Sequence, residues 1–170
     1  MIGIVCYVGN SQPSVTHTEL YSAEVDALRR DFPACTHGIV LSIKNSVVKD
    51  SEQNDVALKM FHSSKSGYYS DWFTSDENWA NKFVGCNTEK DVNKNDASLV
   101  FPALMGYNNT QLLTMCYEGM GSPSTCDHAY AYIKAYREAE AITANVTPWY
   151  LPSIMCWDTV AKNLRSEEHT

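Results

Sequence analysis

The chain has 170 residues, 44% hydrophobic and 19% charged, a balance that suits one folded domain with its own core and argues against disorder. Its net charge of −7 disfavours nucleic acid and anionic membrane surfaces as partners, because both are polyanions. No apolar run approaches the roughly 20 residues of a membrane span, and Met1–Val5 lacks the basic leader and cleavage site of a signal peptide.

Ile2–Val8 reads as a buried strand, continuous and β-branched, stopped by Gly9-Asn10. Ser11 to Thr18 is expected to be a polar loop. Thr18 to Arg30 has Leu20, Val25 and Leu28 at helical spacing, with Thr18 or Ser22 as cap and Phe32-Pro33 as its close. His37–Ile43 is a second strand, expected to pair with the first. Asn45 to Asn54 is polar and predicts a turn or an exposed hairpin arm, and Val56 to Phe61 is a short apolar run that fits either helix or strand.

Ser63–Gly67 is a loop that leads to an aromatic group, Tyr68, Tyr69, Trp72 and Phe73. Ser75-Asp76-Glu77-Asn78 is a helix start, acidic where the helix dipole favours negative charge, with Trp79 and Phe83 inward and Gly85 as the stop. Asn87 to Asp96 is a charged loop, and Leu99–Phe101 and Leu104-Met105 are short apolar runs around Pro102. Gly106–Thr110 starts a helix with Asn108 or Asn109 as cap, continuing through Leu112, Leu113, Cys116 and Tyr117 until Gly119–Pro123 breaks it. The longest helix is expected from Ser124 or Thr125 to about Ala141, with Ala129, Ile133 and Tyr136 on its apolar side.

The end of the chain predicts a tight corner. Trp149 and Leu151 share one face of a short strand, which Pro152 ends because it has no N–H to offer a ladder. Ser153 then caps a helix whose Ile154, Trp157, Val160, Ala161 and Leu164 form one apolar stripe. Trp149 and Trp157 should therefore share a core.

Little in this pattern points to catalysis. Cys35 and His37 are a tempting nucleophile and base, but Thr36 separates them and no third orienting group is evident. There is no nucleophile elbow and no phosphate loop. The five histidines (His17, His37, His62, His128, His169) are far apart, without HExxH or HxH spacing, so no metal is expected. Asp91–Asp96 lacks the glycine and terminal glutamate of a calcium loop. The six cysteines (Cys6, Cys35, Cys86, Cys116, Cys126, Cys156) contain no CxxC; disulfides of an oxidising compartment and buried thiols acting as small hydrophobes both fit. Tyr68, Tyr69 and Trp72 are the candidate ligand-binding residues, since aromatic faces with polar neighbours suit sugar rings. Core filling is their alternative role.

Taken in order, the two strands, Gly106-Tyr107-Asn108-Asn109-Thr110, the Ala/Tyr-rich helix and Trp149-Tyr150-Leu151-Pro152-Ser153 resemble a domain of Bacteroidetes surface lipoproteins and fimbria-associated proteins. That family includes the Fibrobacter major-paralogue repeats and the C-terminal domain of the Legionella collagen-like adhesin. The resemblance covers most of Ile2 to Leu164. It implies an α+β, C-type-lectin-like fold, a mixed sheet with flanking helices, whose C-terminal strands would follow the capped helix.

The resemblance also implies a non-catalytic cell-surface role, ligand binding or adhesion to a host or bacterial surface glycan or protein, with no cofactor. A structural module of a fimbria or phage fibre is the first alternative, and an enzyme on a formylglycine-generating-like scaffold is the second. Arg165–Thr170 looks like a sequencing adapter translated in frame. The expected domain is therefore 1–164, incomplete at both ends, with 165–170 as a non-native tail.

Overall fold

The computed structural model describes residues 3–18, 21–56, 104–119, 129–142 and 146–167. Outside these lie the aromatic group Tyr68, Tyr69, Trp72 and Phe73, the predicted Ser75–Gly85 helix and Asn87–Asp96 loop, the run Leu99–Phe101, and the predicted start of the long helix at Ser124 or Thr125. Among the described residues the architecture is mixed α and β, a small sheet with several helices, in agreement with the α+β class. The elements are β1 (Gly3–Val8), α1 (Pro13–Thr16), α2 (Ala27–Asp31), β2 (Gly38–Ser42), α3 (Gly106–Gly119), α4 (Ala129–Ala139) and α5 (Ile154–Glu167).

β1 and β2 pair antiparallel as expected, with Val5 opposite Val40 and Val8 opposite Gly38. The register slips between Val5 and Tyr7, so Cys6 is an extra residue in β1, a bulge. Its thiol donates to the Ile39 carbonyl at 3.4 Å. The expected burial of β1 is not found: Ile4 is 47%, Val5 63% and Val8 81% exposed, while Cys6 is buried. Among the described residues the ribbon has two strands and one helix packed on it, too few layers to bury every apolar side chain.

The polar segment after β1 is not a plain loop. Ser11, Gln12, Pro13 and Ser14 are buried, and Pro13–Thr16 forms one helical turn. The polar groups of Gln12 and Ser14 go under cover with partners. Gln12 N–H donates to Asn10 Oδ1 at 2.8 Å, its Nε2 donates to the Pro33 carbonyl at 3.2 Å, and Ser14 N–H donates to Asp26 Oδ2 at 2.9 Å.

That last bond also shortens the predicted Thr18–Arg30 helix to Ala27–Asp31. Asp26 sits with extended backbone and accepts the Arg29 N–H as N-cap, so the helix starts after it. Tyr21 and Val25 pack instead against Met105.

α3 begins at Gly106, where a close approach excludes a larger residue: a Cβ there would lie 2.7 Å from the Tyr150 ring and 2.9 Å from the Leu151 carbonyl oxygen. Neither Asn108 nor Asn109 is the cap, because the Asn109 N–H already bonds the Met105 carbonyl. Asn108, inside the first turn and 1% exposed, reaches across to α2. Its Oδ1 accepts the Leu28 N–H at 2.9 Å and its Nδ2 donates to Asp26 Oδ1 at 3.2 Å.

Beside this lock the core gathers Ala27, Leu28, Tyr107 and Leu112, with Phe32, Cys35, Met115 and Tyr150 packed on it. Tyr107 meets Phe32 and Tyr150 edge to face, at ring separations of 5.7 and 6.0 Å. The two motif segments thus form one joint: Gly106 abuts Tyr150, and the Thr110 hydroxyl accepts the Leu151 N–H at 2.9 Å.

The corner at residues 149–153 differs from expectation. Residues 149–151 are irregular, not a strand, because their backbone groups are taken by helices and not by a ladder. The Trp149 carbonyl accepts Arg137 Nε at 2.6 Å, and its indole N–H donates to the Glu140 carbonyl at 3.1 Å. The Trp149 ring meets Tyr136 edge to face at 5.5 Å.

Ser153 does cap α5, its Oγ accepting the Cys156 N–H at 3.3 Å. The buried stripe, however, is Cys156 and Val160, with the Asn163 amide bonded to the Cys6 carbonyl. Trp157 is 53% exposed and Ala161 is exposed as well. One residue along a helix is a turn of about 100°, so docking on β1 through 156, 160 and 163 turns Trp157 outward. Trp149 and Trp157 share no core. α5 continues through Arg165, Ser166 and Glu167.

Candidate functional site

The sequence-predicted ligand residues Tyr68, Tyr69 and Trp72 lie outside the described residues. Cys35 and His37 can be placed. Cys35 is half-buried, and burial pushes its thiol pKa up, against a smaller opposing bond with the Thr147 backbone. A thiol held protonated is a poor nucleophile. The His37 ring faces the Thr36 hydroxyl, at 3.5 Å. Cys6 and Cys156 are buried free thiols, which fits the small-hydrophobe role for these two. Among the described residues no group of His, Cys, Asp and Glu is arranged to hold a metal, and no helix is long and apolar enough to cross a membrane.

Two surfaces remain. The first is the β1–β2 ribbon. Val5 and Val40 stand directly opposite each other and both are exposed, with Val8 on the same face of the ribbon and Ile4 exposed on the other. Apolar side chains grouped on a sheet surface are the usual mark of a face that another element covers.

The second is a cleft of about 310 Å³ between α3 and α4. α4 contributes Tyr130, Ile133, Lys134 and Arg137 at helical spacing, together with Glu138; α3 contributes Thr114 and Glu118, one turn apart. Tyr130 stacks on Tyr117 at 4.3 Å and donates its hydroxyl to Glu118 Oε1 at 2.9 Å. Burial first, then the bond to Glu118, pushes the Tyr130 phenol up to about 12.

Arg137 is the unusual member. Its Nε is bonded to the Trp149 carbonyl, its Nη2 is buried with no hydrogen-bond partner, and it makes no ion pair among the described residues. Burial pulls the guanidinium pKa down, while Tyr107 and Tyr130 act in the opposite direction. The signal for this cleft was in the sequence as Tyr130, Ile133, Lys134 and Arg137, at i, i+3, i+4 and i+7. Reading the helix by its apolar residues alone passed over it.

The tyrosines give a pH prediction. Burial raises Tyr107, Tyr130 and Tyr150 above the ordinary phenol range, so each stays neutral in the folded chain at pH values where the unfolded chain ionises. Their contribution is fully present below about pH 10 and is lost as pH rises through the folded values. The denaturation midpoint should fall steadily above about pH 10, with part of the tyrosinate absorbance appearing only on unfolding. A midpoint that does not move there, or complete ionisation before unfolding, would contradict these burials.

No protein-family model matches the sequence. The chain is 30% identical over 156 residues, 89% of its length, to a protein of Bacteroides ovatus (strain ATCC 8483) that bears the name of a fimbrium tip subunit, Fim1C; the match takes in 26% of that protein. The fold is similar to the crystal structure of a fimbrial protein from Bacteroides ovatus ATCC 8483, with a TM-score of 0.64 and 30% identity, over 91% of this chain and 29% of that one. Over nearly all of its own length the chain is homologous to a Bacteroides fimbrial tip subunit-like protein, and it spans little more than a quarter of each relative's length.

Proposed function

We propose that this chain is a non-catalytic part of a bacterial fimbria, displayed at the cell surface, with a structural or adhesive role. One observation carries this reading: homology to fimbrial proteins over 89% of the chain. The exposed apolar ribbon of β1 and β2 supports it, as a face suited to further protein. The finer parts of the proposal are a C-type-lectin-like layout of the family first suggested by the sequence, a domain spanning 1–164, and adhesion to a surface glycan or protein. Tyr68, Tyr69 and Trp72 remain the aromatic candidates for that contact.

Epitope-tagged chain, expressed within its full reading frame in a Bacteroides host, should co-purify with filaments sheared from the cell surface and be labelled on intact cells by antibody. Tag confined to the cell interior would sink the fimbrial reading.

A further inference from the structure

We draw no further inference here: the strongest candidate, the exposed apolar face of the β1–β2 ribbon formed by Val5, Val8 and Val40, carries nothing, because nothing in the structure shows what covers it.

Discussion

Asn108→Ala should lower stability by roughly 2–4 kcal/mol, a large part of the 5–15 kcal/mol of an ordinary domain. Asn108 answers two buried groups at once, the Leu28 N–H and the Asp26 carboxylate. Alanine leaves the N–H with no acceptor, and it takes one donor from a carboxylate that is 0% exposed. Asp26 also caps α2 and holds Ser14, so the damage spreads to the segment between β1 and α2.

Asn109→Ala, one residue on, is the control. That side chain is exposed and its loss should fall within about 0.5 kcal/mol. Denaturant unfolding of the three proteins checks both, with the slope unchanged if the native and unfolded ends are the same. A small effect at Asn108, or equal effects at the two positions, would show that the lock between α2 and α3 is not formed.

The second large effect is at Trp149. Trp149→Ala should cost about 2–3 kcal/mol, less than a fully buried tryptophan because the ring is half-exposed. The substitution removes the edge-to-face contact with Tyr136 and the indole bond that covers the Glu140 carbonyl at the end of α4. Trp157→Ala should cost under about 1 kcal/mol, since more than half of that ring is in water. Thermal unfolding monitored by circular dichroism orders the two. If Trp157 proved the costlier, α5 would be docked through the stripe that its sequence pattern suggested, and the burial of Cys156 and Val160 would be wrong.

Part of this molecule was legible in the residues themselves. β1 and β2 were readable, and paired, because β-branched runs bounded by turn residues have one plausible local structure. The α5 start was readable because Pro152 and Ser153 act within a few bonds of where they stand. The motif segments 106–110 and 149–153 carried the resemblance, yet their contact with each other was not visible.

What failed shares one cause. Asn108 as cap, Thr18–Arg30 as helix, 149–151 as strand and Trp157 as core were all decided from neighbours in the chain. In each case a partner from far along the chain took over the group in question: Leu28 and Asp26 for Asn108, Ser14 for Asp26, Arg137 and Thr110 for 149–151, and β1 for the docked face of α5.

The Arg137 cleft belongs to the same class. Its residues lay at helical spacing on one stripe, so the sequence determined that Tyr130, Ile133, Lys134 and Arg137 would share a face. Whether that face met solvent, a second helix or a ligand depended on how α3 and α4 pack, and on the Trp149 carbonyl that fixes the guanidinium. Local pattern thus determined the first two strands and the capped final helix, because those follow from short-range sterics and caps, while the α+β class came with the resemblance. Only the tertiary structure decided which side chains are buried and which polar groups are satisfied, because burial and hydrogen bonding are settled by residues tens of positions apart.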